Sequence, residues 1–155
     1  MFDDQWARDE MEKTKQLFAK AGSFYDQKDF DNAIRVFTEL LRQAPMPTAF
    51  FNRGQAYMEK AKLELFENNI DFETAEDVMV LAIKDFTEAV KAEQSTSKPD
   101  FRFISDCYEE RARVHMLIAG ETGDLSFIHN AIPDLNTAIK YNKDNCENNS
   151  NFGKI

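Results

Sequence analysis

The residues through which a chain of this size would do chemistry are few and scattered. Its only histidines are His115 and His129, and its only cysteines are Cys107 and Cys146. General acid-base or nucleophilic catalysis needs such groups in converging sets, and a zinc site needs three or four ligands, so one histidine and one distant thiol do not make a centre. Acidic pairs such as Asp3-Asp4 and Glu109-Glu110 are adjacent. On a helix, neighbours point about 100° apart, which is wrong for a cooperating acid and base. There is no glycine-rich phosphate loop, no paired-cysteine spacing and no HExxH sequence. No enzyme activity, metal or cofactor is expected, and His115 reads as a partly buried ring within a helix.

The elements that would carry these residues are helical. Five glycines and four prolines interrupt 155 residues rich in Leu, Ala, Glu, Lys and Phe, a composition that favours helix almost throughout. Six helices are expected, at about 5–27, 30–43, 47–68, 73–93, 100–119 and 125–141. Asp29 and Asp31, the Pro45-Met46-Pro47 run, the Ser95 to Asp100 segment and Gly120 to Asp124 supply the caps and stops. Pro133 falls inside the sixth pattern, where it should kink the helix or delay its start.

A small apolar signature returns at a fixed interval. Ala33-Ile34 is followed by Phe37 and Leu40, Ala82-Ile83 by Phe86 and Ala89, and Ala131-Ile132 by Leu135 and Ala138. Both intervals are equal (82 − 33 = 49 and 131 − 82 = 49). A period of roughly 20–50 residues marks stacked repeats. The fold expected is all-α, an α-solenoid of about three antiparallel helix pairs.

Ahead of each signature lies a second helical pattern, and with it the chain resembles the tetratricopeptide repeat (TPR) family. Ala21 and Phe24 precede Lys28-Asp29-Phe30-Asp31-Asn32-Ala33-Ile34 in the first unit. Phe51-Asn52-Arg53-Gly54-Gln55-Ala56-Tyr57 precedes Ala82-Ile83-Lys84-Asp85-Phe86 in the second, and Arg111-Ala112 with His115 precedes Ala131-Ile132-Pro133-Asp134-Leu135 in the third. The resemblance covers most of residues 15–141 and implies a TPR-like right-handed superhelix with pairs at about 15–45, 47–94 and 100–141. Residues 142–155, rich in Asn, read as a polar, mobile tail. Phe24, Phe37, Tyr57 and Phe86 read as core.

What the resemblance implies about function is a concave groove, lined by the first helix of each pair, that takes a partner peptide or helix. Mapped onto this chain, the groove holds Phe18, Tyr25, Phe51, Met58 and Met116 as apolar contacts. Asp26, Glu59, Asp106, Glu109 and Glu110 are its anions, Asn52 a polar contact, and Lys15 and Arg113 its cations. One TPR subclass grips a C-terminal carboxylate with Lys, Asn and Arg side chains, but only Asn52 matches that set here. Phe18 and Gly22 replace its first-helix residues, and Asp106 and Glu110 reverse its charge. A basic, apolar segment is the complementary ligand, and an ordinary solvated face is the plain alternative.

The second and third units carry insertions of about 16 and 7 residues at the turn within the pair. The larger contains Leu63, Leu65, Phe66, Ile70, Phe72, Val78, Met79 and Val80. These either pack on one another or, through Phe66, Ile70, Phe72 and Met79, form a second contact surface. The last pair has no covering helix, which leaves Ile132, Leu135 and Ile139 for self-association or for Phe2 and Trp6 of another chain.

Nineteen basic against 28 acidic residues, a net charge of −9, disfavour nucleic acid and anionic membranes. No apolar run reaches the roughly 18–20 residues of a spanning helix, and the acidic start lacks the pattern of a secretory signal. A cytoplasmic, non-catalytic protein-interaction module or adaptor is the expected reading, with a protein or peptide partner. The alternatives are a small acidic TPR chaperone of a secreted protein and a self-assembling homo-oligomer whose groove is filled by a second copy or by its own tail, through Lys140, Phe152, Lys154 and Ile155.

Overall fold

The computed structural model describes the chain from Phe2 to Phe152, with side-chain burial from Asp4 to Cys146. Phe2, Phe152, Lys154 and Ile155, named above as covering or groove-filling residues, lie outside that side-chain description. The described residues form six α-helices: α1 (Phe2–Asp26), α2 (Phe30–Gln43), α3 (Pro47–Lys62), α4 (Phe72–Gln94), α5 (Phe101–Thr122) and α6 (Ser126–Phe152). One turn of π-helix, Leu63–Glu67, extends α3.

The helix starts follow from capping chemistry. The Asp29 carboxylate accepts from the Asn32 amide, Asp71 from Thr74, and Asp100 from Arg102 and Phe103. Each satisfies an amide that the first turn leaves unpaired. Pro47 occupies the first turn of α3, where its missing N–H costs nothing. Gly123, at φ 71°, ends α5 in the left-handed conformation and donates its amide to the Ala119 carbonyl at 2.8 Å.

Each helix packs on its neighbours in sequence, and α3 also touches α5. The core runs the length of this order. Ala21, Ala33, Val36, Phe37, Leu40, Ala49 and Ala56 join the first three helices. Met58, Ala61, Ala75, Met79, Ala82, Phe86, Val114 and Ile118 join α3, α4 and α5. Small residues set the approach distance. A Cβ on Gly54 would lie 2.9 Å from the Phe86 ring, so only glycine lets α3 sit this close to α4.

Two expectations about α6 change. Of the two effects expected of Pro133, a kink or a delayed start, the delay does not occur, because the helix begins at Ser126 with Pro133 inside it. Pro133 is exposed, so water can take the His129 carbonyl that its missing N–H leaves free. The helix also continues past Tyr141 to Phe152. Tyr141 anchors that extension, edge-on to Phe101 and stacked on Tyr108.

The insertion in the second pair lengthens its helices. α4 has 23 residues against 14 in α2. Most of the inserted apolar side chains turn inward, with Leu65, Phe72 and Val78 packed against the core of α3, α4 and α5. Met79 is fully buried and is no surface residue, because it continues the Ala75, Met79, Ala82, Phe86 face of α4. Ile70 is half-buried and donates its amide to the Glu64 carbonyl at 2.9 Å. Phe66, 57% exposed, is the member of the expected second surface that faces solvent.

Candidate functional site

Polar and apolar side chains form a stripe along each of three helices. On α1 these are Phe18, Gly22, Tyr25 and Asp26, on α3 Phe51, Asn52, Gln55, Glu59 and Lys62, and on α5 Asp106, Glu109, Glu110 and Arg113. Within each helix the spacings of three, four and seven residues make one stripe. Gly22, Tyr25, Asp26, Asn52 and Gln55 rim a cleft of about 160 Å³ between α1 and α3, with Phe37 of α2 at its base.

Electrostatics ties the third stripe to the other two. Burial raises the pKa of the Tyr25 hydroxyl, and the carboxylates of Glu59, Glu110 and Asp26 push it further in the same direction. One residue on α1 thus feels anions on both α3 and α5. Burial also raises the Glu110 carboxyl above the ordinary glutamate value. Glu109 and Asp106 reinforce that shift, while Arg113 and Lys62 oppose it. Asp106 is raised by burial too, with Glu109 and Asp100 adding to the effect and Arg102 and Arg113 opposing it. The face is therefore anionic but already partly compensated. Arg113 bonds Glu109 at 2.6 Å and Glu110 at 2.8 Å, and Lys62 bonds Glu59 at 3.1 Å.

The apolar members are divided between surface and core. Phe18 is half-buried edge-on to Phe37, and Phe51 packs between Phe86 and Phe103 at centroid distances of 5.6 and 5.4 Å. Met116 is 52% exposed. Met58 is not a groove contact: it is 6% exposed and packed into the core. It lies four residues after Gly54, on the face pressed against Phe86, whereas Glu59 one position on takes the open side. Lys15 is exposed on α1.

Two buried ion pairs that the groove mapping did not include hold the helices in register. Arg53 of α3 donates through Nε and Nη2 to both oxygens of Asp85 on α4, at 2.7 and 2.8 Å, and through Nη1 to Thr38 of α2 at 3.1 Å. Arg111 of α5 repeats the arrangement with Asp134 of α6 and, at 2.9 Å, with Thr87 of α4. Asp134 and Thr87 each follow their counterparts by 49 residues (134 − 85 and 87 − 38). The signal lay in the sequence as an Arg directly before Gly54 and Ala112 and an Asp three residues after Ala82 and Ala131. The first unit has Lys20 and Val36 at those places and no such latch.

The histidines and cysteines lie apart, two of them at least partly buried. His115 is half-buried beside Phe127, its Nδ1 without a partner, and burial lowers its pKa. Cys107 is buried, and loss of solvent pushes its thiol up to about 12. No group of three or more potential metal ligands occurs among the described residues, and no helix there is long and apolar enough to cross a membrane. Compared with family models, with curated proteins and with solved structures, the chain matches none.

Proposed function

We propose that this chain is a non-catalytic interaction module, a TPR-like right-handed stack of three helix pairs whose α1, α3 and α5 face binds a basic, apolar peptide or helix from a partner protein. The observation that supports this reading is that Tyr25 of α1 lies within electrostatic reach of Glu59 of α3 and Glu110 of α5. Glu110 is held there against its charged form, since burial raises its pKa, and exposed Asp106 is raised in the same direction. Carboxylates kept where folding disfavours their charge are characteristic of binding sites.

A ligand cation would relieve that cost. Phe18, Tyr25 and Met116 would supply apolar contact, and the acids would speed association and select the sign of charge. The chain's net charge of −9 adds long-range attraction for such a ligand, which salt weakens. A cytoplasmic setting fits this reading.

The test uses fluorescent amphipathic peptides, one set combining Leu with Lys and the other Leu with Glu. Saturable binding of the Lys set that Asp106→Lys/Glu110→Lys weakens at least tenfold is the expected result. Equal binding by wild type and variant would exclude this face.

A further inference from the structure

We infer that the outer face of α6 is a self-recognition surface, on which two copies of this chain pair antiparallel. Leu125, Ile128, Ile132, Leu135 and Ile139 recur at alternating intervals of three and four residues, the spacing of a helix-pairing seam. The adjacent face, about 100° round the helix, with Ala131, Asp134 and Ala138 buried, is the one that packs inward, and Leu135 is half-buried at its edge. Leu125 is 66%, Ile128 39%, Ile132 48% and Ile139 66% exposed. Together these residues leave roughly 400 Å² exposed, about the size of the largest patch on an ordinary monomer, which is often functional.

The size fits a second copy. The aliphatic stripe alone supplies about half of the ~800 Å² that each partner gives to a standard interface, and the flanking His129, Asn136 and Lys140 add to it. The total falls at the lower end for specific complexes, so the pair should form and separate with concentration.

Charge selects both the partner and the direction. On a chain of net charge −9, the α6 face is poor in acids, so like copies can meet there without strong repulsion. Between Leu125 and Lys143 its only acid is Asp134, which is buried against Arg111, and its exposed ions are Lys140 and Lys143. An antiparallel pair centred on Ile132 sets Ile139 against Leu125 of the other copy. It also places Lys140 opposite Asp124, the exposed acid at the start of α6. Parallel pairing would oppose Lys140 to itself. Two-fold symmetry makes every such contact twice.

Sedimentation equilibrium of the full chain across a wide concentration range tests this. Wild type should show a monomer–dimer equilibrium, and Ile132→Lys/Ile139→Lys, both at exposed sites, should be monomeric with unchanged helical circular dichroism. Lys140→Glu should weaken the dimer about tenfold by opposing Asp124. Adding Asp124→Asn, which preserves a capping oxygen, should recover most of that loss. A wild type monomeric throughout, a dimer indifferent to Ile132→Lys/Ile139→Lys, or a Lys140→Glu defect that Asp124→Asn does not relieve would each overturn the antiparallel α6 pair.

Discussion

Arg53 grips both carboxylate oxygens of Asp85, a side chain 2% exposed in the residue as a whole, while its third nitrogen reaches Thr38 on the preceding helix. One guanidinium thereby ties α2, α3 and α4. Burial raises the pKa of the Asp85 carboxyl, and the Arg53 hydrogen bonds and charge oppose that shift. Removing the acid would leave a largely buried cation between two helices with nothing to neutralise it. Asp85→Ala should therefore cost about 2–4 kcal/mol of unfolding free energy. Denaturant titration measures this, and Asp134→Ala should lose a similar amount because Arg111 repeats the arrangement with Thr87.

Gly54 is required by shape alone. An added methyl would meet the Phe86 ring at 2.9 Å, and Phe86 is fully buried with nowhere to retreat. Gly54→Ala should gain about 1 kcal/mol in helix propensity yet lose about 1–3 kcal/mol to overpacking. A net loss of stability in thermal melts is expected, and Gly22→Ala, which meets no neighbouring atom within 4 Å, should stabilise instead.

Much of the fold was legible because it rests on local chemistry. The capping acids, the Pro45-Met46-Pro47 stop and the 49-residue signature place the starts of α2 to α6 within about one residue. Met58 and Met79 were not legible as core, because an apolar residue at helical spacing does not reveal which of two packed faces it joins. Gly54 and Phe86 settle that for Met58 only once α3 and α4 are seen together. The Arg53 and Arg111 latches needed the same pairing, since each joins residues 32 and 23 apart in sequence. The helical course of the Asn-rich end follows Tyr141, which stacks on Tyr108, a contact that composition does not encode.

Glu110 supplies a pH signature. Burial raises its folded pKa above the ordinary glutamate value, so the fold binds this proton more tightly than the unfolded chain does. Its contribution is favourable at low pH and is lost as pH rises from the ordinary value through the raised one. Glu110→Gln should consequently raise the melting temperature at neutral pH, and the difference should vanish in acid below the ordinary glutamate value. If the face binds cationic peptides as proposed, the same variant should weaken them, so stability and affinity move in opposite directions.

His115 works in the other direction. Burial beside Phe127 lowers its pKa, and no partner meets Nδ1. The unfolded chain takes up this proton first, so stability falls as pH drops below the ordinary histidine value and recovers as pH rises. His115→Phe places an apolar ring where a packing ring fits and should flatten that part of the stability profile. Denaturant midpoints at several pH values would show it.

The two cysteines should separate local from global exposure. Cys146 is exposed, whereas Cys107 lies among Ala89, Val90 and Ile104 with its thiol pushed up to about 12 from an ordinary value of 9.0. Only thiolate reacts with alkylating reagents, so that shift alone cuts the reactive fraction of Cys107 about a thousandfold at mildly alkaline pH. Burial blocks reagent access as well. Cys146 should be labelled at once by iodoacetamide and Cys107 only when its surroundings open. Because Cys107 joins α4 to α5, Asp85→Ala should accelerate its labelling if the α3–α4 latch supports that junction, while labelling of Cys146 stays the same.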